Sequence, residues 1–200
     1  NDPPVVTSPT TFTTPEDTPL TNTVTATDID GGSLSYTVTL MPTNGVVVIN
    51  ATTGVWTYTP AANYNGPDSF TVEVSDGNGG LTLQTINITV TPVNDPPVVT
   101  SPTTFTTPED TPLTNTVTAT DIDSSTFTFM VNTNATNGVV VINATTGVWT
   151  YTPAANYNGP DSFTVEVSDG NGGITLQTIN IMVTPVNDPP VVTSPTTFTT

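Results

Sequence analysis

A chain of 200 residues, 34% of them hydrophobic, can fill one or two modest cores but not a single large one. It carries 17 acidic side chains and no Lys, Arg, His or Cys. That inventory excludes nucleic acid and anionic membrane surfaces as partners, and it excludes disulfides and thiolate metal sites. It also removes the usual catalytic bases and nucleophiles, leaving only a glycosidase-like carboxylate pair, so no enzyme is expected. No apolar run approaches the roughly 20 residues of a membrane-spanning helix. Two carboxylates about 4 Å apart repel by about 1 kcal/mol in water and about 4 kcal/mol at an effective dielectric of 20. With no side-chain cation to offset that, any acidic cluster must stay wet, take up protons or bind a metal ion. The lack of Lys and Arg also withholds the side chains that trypsin-like proteases grip, which fits a long-lived extracellular polymer.

The segment 1–93 recurs without a gap as 94–186, and a third copy opens at 187 and runs to 200. About 80 of the roughly 93 aligned positions are identical, and the differences gather where GGSLSYTVTLMP (31–42) becomes SSTFTFMVNTNA (124–135). Because the repeat is cut in mid-pattern, the parent protein is expected to continue in both directions.

Within a copy the apolar pattern has period two. Leu20, Val24 and Ala26 share one parity, with Thr21, Thr23 and Thr25 on the other. Residues 45–49 form a short apolar run, and 55–58 a short aromatic one. Phe70, Val72 and Val74 alternate with Thr71, Glu73 and Ser75, as in a half-buried strand. Across 81–90 the parity switches from Leu81 and Leu83 to Ile86, Ile88 and Val90, which predicts a bulge near Gln84 and Thr85. Turns are marked by Asn44-Gly45, Asn65-Gly66, Asp76-Gly77 and Gly79-Gly80. Thr and Val dominate, and β-branched residues suit pleated surfaces. Twenty prolines argue against helices. About seven strands in some 93 residues predict an all-β chain of tandem Greek-key β-sandwiches of immunoglobulin-like size. The junction TPVNDPP (91–97) is short and proline-stiffened, so successive sandwiches are expected end to end as a rod.

The acids fall in turns and at strand ends: Glu16-Asp17 in TPED, Asp28 and Asp30 in ATDIDGG, Asp68 in GPDSF, Asp76 in SDGNGG, and Asn94-Asp95 between copies. Only Glu73 lies mid-strand. PED, VTATDIDGG, INATTGVWTY, DSFTVEVSDGNGG and VNDPP, in that order over the whole module, resemble the motifs of the cadherin-like repeats, especially those of giant bacterial secreted adhesins. The resemblance implies calcium at the joint between modules. At the first joint the implied ligands are Glu16, Asp68, Asn94, Asp95, Asp121, Asp123 and Asp169. A half-site at the start takes Asn1, Asp2, Asp28, Asp30 and Asp76, and one at the end takes Glu109, Asp161, Asn187 and Asp188. The chemistry is reasonable in itself, because calcium takes 6–8 hard oxygen ligands and this chain supplies carboxylates and carbonyls. The chain departs from the family pattern in lacking the first linker acid and the mid-module Asp-x-Glu pair, so fewer ions per joint than the family's full set are expected.

Each reading has a plainer rival. Asp28, Asp30 and Asp76 could be turn residues, and Glu16 and Asp17 loop acids. Glu73 and Glu166 are read as solvent-facing. Trp56, Tyr58 and Tyr64 are read as core rather than as a sugar platform, with Tyr64 as a hydroxyl-anchored corner. Asn50, Asn87, Asn134 and Asn143 lie in N-x-[ST] sequons. The expected function is a structural extender of an extracellular, cell-surface repeat protein, with calcium rigidifying its joints. Its partners would be neighbouring repeats and further copies of itself, associating laterally or end to end. The alternative is a glycan- or protein-binding adhesion module that uses the 31–42 and 124–135 window against a cell-surface ligand.

Overall fold

In a computed structural model that describes residues 1–190, the chain divides at Val93/Asn94 into two units. The first unit contains β1 (Val5–Val6), β2 (Thr11–Pro15), β3 (Leu20–Thr23), β4 (Ala26–Thr27), β5 (Ser35–Leu40), β6 (Gly45–Ile49), β7 (Val55–Pro60), β8 (Gly66–Ser75) and β9 (Leu81–Thr91). One sheet has the order β2-β9-β8-β5 and the facing sheet β3-β7-β6, while β1 and β4 form a separate two-stranded ribbon. Seven sandwich strands match the number expected; β3, β6, β7, β8 and β9 cover the segments read from the sequence, and β2 and β5 complete the set. The ribbon adds two short strands, because the second apolar run breaks at Val24 and Thr25 and its end pairs with β1 instead of β7. All pairings are antiparallel except β2 with β9, which is parallel.

The second unit repeats this arrangement with β10 (Val98–Val99), β11 (Thr104–Pro108), β12 (Leu113–Thr116), β13 (Ala119–Thr120), β14 (Thr128–Thr133), β15 (Gly138–Ile142), β16 (Val148–Pro153), β17 (Gly159–Ser168) and β18 (Ile174–Thr184). Of the third copy, residues 191–200 lie outside the described residues.

Alternation along the strands builds each core. Phe70, Val72 and Val74 of β8 and Ile86, Ile88 and Val90 of β9 point inward and are fully or almost fully buried. They meet Val47, Trp56 and Tyr58 from the other sheet. Trp56 sits at the centre, with Phe12 and Phe70 edge-on at 5.1 and 5.2 Å, and Trp149 is held the same way by Phe105 and Phe163. The aromatics are core, as expected. Tyr64 packs at the margin, and its hydroxyl donates to the Pro67 carbonyl at 2.7 Å, forming the anchored corner.

The bulge expected near Gln84 and Thr85 is absent. β8 and β9 pair through ten consecutive positions from Gly66↔Val90 to Ser75↔Leu81 without a shift. The parity never switches: Leu81 and Leu83 face outward, and Leu83 is 64% exposed. Apolar identity was a misleading guide there, because much of a folded surface is apolar. The register shift occurs instead between Val38 and Leu40 on the edge strand β5, and again between Val131 and Thr133 on β14. These strands lie in the variable window. Its inward positions conserve bulk (Tyr36 becomes Phe129, and Val38 matches Val131), while outward Thr37 becomes Met130 and Thr39 becomes Asn132. Among the described residues no helix is long and apolar enough to cross a membrane.

Candidate metal centre at the acidic pole

In each unit the β-hairpin that joins the two longest strands carries an Asp at its base. Asp169 Oδ1 accepts from the Asn171 and Gly173 amides at 2.7 and 3.0 Å, and its Oδ2 accepts from Asn94 Nδ2 at 2.6 Å. Asp76 is held identically by Asn78, Gly80 and Asn1 at 2.7, 2.9 and 2.6 Å. The hydrogen bond from the Asn94 amide, ahead of those from the backbone, holds the Asp169 carboxyl below the ordinary carboxylate range, and Asn1 does the same for Asp76.

Gly173 makes the close approach possible. A Cβ there would lie 2.3 Å from Asp169 Oδ2, 2.8 Å from Asn94 Nδ2 and 2.8 Å from the Asp95 carbonyl oxygen. Gly80 stands in the same relation to Asp76 Oδ2 and the Asp2 carbonyl, at 2.4 and 2.9 Å. A carboxylate oxygen and a main-chain carbonyl oxygen therefore converge over a glycine in both units.

The Asp-x-Asp turn completes the pole. Asp121 Oδ1 accepts from the amides of Asp123 and Ser124 at 2.7 and 3.0 Å, and Asp123 Oδ2 accepts from the Asp95 amide at 2.8 Å. In the first unit, Asp30 N–H donates to Asp28 Oδ1 at 2.8 Å and Asp2 N–H to Asp30 Oδ2 at 2.6 Å. The second oxygens, Asp28 Oδ2 and Asp121 Oδ2, are buried and have no hydrogen-bond partner. An orphaned carboxylate oxygen is costly, and it recurs in both units, as do the unpartnered Nε1 of Trp56 and Trp149 and Oγ of Ser8 and Ser101.

The structure thus gathers Asn94, Asp95, Asp121, Asp123 and Asp169 at one pole of the second unit, and Asn1, Asp2, Asp28, Asp30 and Asp76 at the matching pole of the first. Among the described residues no three acidic side chains converge into a ready-made cage. A calcium ion here would draw on carbonyl and amide oxygens as well as on carboxylates. The donor set fits: every candidate is a hard oxygen, one of them orphaned. Asn94 also fits, because exchanging its amide nitrogen and oxygen would present an oxygen beside Asp169 Oδ2 and the Asp95 carbonyl.

The other residues in the expected ligand sets are placed differently. Glu16 is buried, and its Oε1 accepts from the Val93 amide at 2.5 Å; Glu109 holds Val186 in the same way. Asp17 Oδ1 accepts from the Asn63 amide at 3.0 Å. Asp68 accepts from the amides of Thr43, Asn44 and Ser69 at 3.0, 2.9 and 2.8 Å and from the Tyr58 hydroxyl at 2.9 Å. Asp161 repeats this with Thr136, Asn137, Ser162 and Tyr151. Burial first, and the neighbouring carboxylate second, push the Tyr58 and Tyr151 hydroxyls above their ordinary pKa. Asp68 sits opposite Ile88, while Glu16 follows the Pro15–Thr91 pair. Asp68 is therefore about four residues, or some 13 Å, along the sheet from Glu16. Asn187 Nδ2 contacts the Asp188 carbonyl at 3.4 Å.

Sequence reasoning overlooked the Tyr58–Asp68 pair and the role of Gly80 and Gly173. The second could have been found, since DGNGG has one glycine more than a tight turn requires.

The sequence matches the family described as bacterial Ig domain over residues 1–89 and again over 94–182. No curated protein matches it. Among solved structures, human protocadherin-24 EC1-2 superposes with a TM-score of 0.61 at 18% identity, covering 93% of this chain and all of that one. Mouse cadherin-23 EC22-24 gives 0.55 at 20% identity, over 93% of this chain and 67% of that one. Human cadherin-23 EC21-23 gives 0.54 at 19% identity, over 92% and 70%. At these identities the likeness is one of fold. The family and these neighbours are immunoglobulin- and cadherin-like modules, not enzymes. The chain belongs to the bacterial Ig domain family, as two tandem cadherin-like β-sandwich modules.

Proposed function

We propose that this chain is a structural extender segment of an extracellular repeat protein, an adhesin or surface filament, in which calcium stiffens the passage from one module to the next. The observation that carries this reading is the orphaned Oδ2 of Asp121, with its twin at Asp28, in a pole built wholly of oxygen donors. Consecutive residues of the connecting segment are held from different units. Val93 is held through its amide by Glu16, whereas Asn94 and Asp95 are held by Asp169 and Asp123. A cation bound by Asn94, Asp95, Asp121, Asp123 and Asp169 would tighten the second of these grips, and by linkage its binding energy would stabilise the geometry that holds it. Glu16 and Glu109 are assigned to gripping the segment that leaves each module. Asp68 and Asp161 are left out of the ion's shell, because four donors already occupy each of them.

The test is calorimetric titration of the calcium-stripped chain, paired with small-angle scattering. Uptake of calcium with a longer or narrower distribution of maximum dimension supports the reading. No heat of binding and identical scattering in chelator would refute it.

A second reading rests on one observation. In the second module an open groove of about 350 Å³ is lined by Ser125, Thr126 and Phe127 of the variable window, beside Thr118 and Thr145. A glycan ligand there predicts that replacing 124–135 by the sequence of 31–42 abolishes glycan-array binding by the chain.

A further inference from the structure

A β-sandwich of two open sheets exposes four edges, and an unprotected edge is a template for pairing with another strand. Three of the four in the first unit are blunted. β2 ends in Pro15, which has no amide hydrogen to donate; β5 carries the Val38/Leu40 register shift; and β3, Leu-Thr-Asn-Thr, is short and polar. β6 is different. It reads Gly-Val-Val-Val-Ile, without proline, bulge or charge, and pairs only with β7.

The direction of its backbone follows from its ends. The Ala61 amide donates to the Asn44 carbonyl and the Asn50 amide to the Val55 carbonyl, both at 2.8 Å. Even-numbered residues of β6 therefore bond toward β7. By antiparallel alternation, the N–H and C=O groups of Gly45, Val47 and Ile49 point away from it, toward the open edge. Val46 and Val48 stand beside that edge on the outer face, 65% and 72% exposed. In the second unit β15 repeats the sequence, with Val139 and Val141 at 66% and 68%.

Charge identifies the occupant. The chain has a net charge of −17, so two copies repel wherever their acids meet. Yet residues 31–67 contain no Asp or Glu, nor do residues 124–160. These stretches include all of β6 and β7, and β3 is also free of charge. The one uninterrupted apolar edge thus lies on the sheet that carries no charge at all.

We infer that the open edge of β6, and of its copy β15, pairs antiparallel with the same edge of a second copy of this chain, joining two three-stranded sheets into one. With the two-fold axis at Val47, Gly45 meets Ile49 and Val47 meets Val47 in hydrogen-bonded pairs, using up to about six otherwise free backbone groups on each strand. Val46 then opposes Val48 in a non-hydrogen-bonded pair, where Cα atoms approach to about 4.5 Å and β-branched side chains pack closely. The contact is isologous, so one surface serves both partners. This rests on geometry away from the acidic pole and does not depend on calcium.

The absence of cysteine makes the register directly testable. Val46→Cys chains are mixed with Val48→Cys chains in chelator at high protein concentration and oxidised mildly, and the mixed dimer is compared with that from Val46→Cys and Thr85→Cys, the latter on the opposite sheet. The expected result is several-fold more mixed dimer from the 46/48 pair. In parallel, sedimentation equilibrium of the unmodified chain is compared with Val48→Glu/Val141→Glu, which places carboxylates at the edge, and with Thr85→Glu/Thr178→Glu, which adds the same charge elsewhere. Loss of association in the first double variant only, with native tryptophan fluorescence in both, supports the pairing. Equal disulfide yields, a monomer at every concentration, or equal loss in both double variants would overturn it.

Discussion

Replacing Asp121 by Asn should change the stability of the second module in opposite directions with and without calcium. The variant keeps Oδ1 as acceptor for the Asp123 and Ser124 amides, at 2.7 and 3.0 Å, and converts the orphaned Oδ2 into a neutral amide. In chelator this removes one negative charge from a pole shared with Asp95, Asp123 and Asp169. Relief of a single repulsion at about 4 Å is worth about 1 kcal/mol in water, which raises the melting temperature of a domain this size by about 4–8 °C. With free calcium at about 100 times Kd, the wild-type module gains about 2.7 kcal/mol from binding, or roughly 10–20 °C, and the variant should forfeit most of that. Thermal unfolding in a Trp56→Phe background leaves the buried Trp149 to report on the second module. A shift of the same sign and size in both buffers would show that the oxygen is an ordinary turn acceptor, and the calcium reading would fail with it.

Three further outcomes are expected. Tyr58→Phe removes a hydrogen bond to a carboxylate and should cost about 1.5–3 kcal/mol, while Asp68→Ala, which strands the Thr43 and Asn44 amides as well as the buried Tyr58 hydroxyl, should cost about 3 kcal/mol or more. Both losses should be equal with and without calcium in denaturant titrations, and a loss confined to calcium buffer would return Asp68 to the ligand set. Asp76 and Asp169 have folded pKa values below their unfolded ones, so the stability they contribute is complete above about pH 4 and drains away as the pH falls through the folded values. Asn94→Ala should flatten that acid-side decline for the second module in calorimetry between about pH 2 and 6, and an unchanged slope would remove the Asn94 amide as its cause. Leu83→Gln should alter stability by no more than about 0.5 kcal/mol, because the side chain is already outside; a loss above about 2 kcal/mol would restore it to the core.

The acidic residues show what a local sequence can and cannot say about a carboxylate's partners. The resemblance to the cadherin-like repeats implies Asp121, Asp123 and Asp169 as ligands, and the fold brings them to one pole of the second unit. Asp68 occupies a similar local sequence, GPDSF, yet its carboxylate accepts the hydroxyl of Tyr58 and the amides of the β5–β6 connection. Nothing local to GPDSF distinguishes an Asp facing a loop from one facing solvent, because its partners lie 10 to 25 residues away. Leu81 and Leu83 misled for a related reason. Hydrophobicity states what a side chain favours, while the ladder with β8 states where it points, and an unbroken ladder overrides two leucines.

The amino-acid order alone determined that this chain is all-β, repeated and acidic, with Phe70, Val72 and Val74 on the buried side of one strand and Phe163, Val165 and Val167 on that of its copy. Those properties follow from period-two patterning and self-similarity, which are written in neighbouring positions. Only tertiary structure decided which carboxylates are saturated and which keep a bare oxygen, and which of four edges was left open. Hydrogen-bond satisfaction and edge exposure belong to pairs of residues far apart in the chain, and they come into being only when the sheets close.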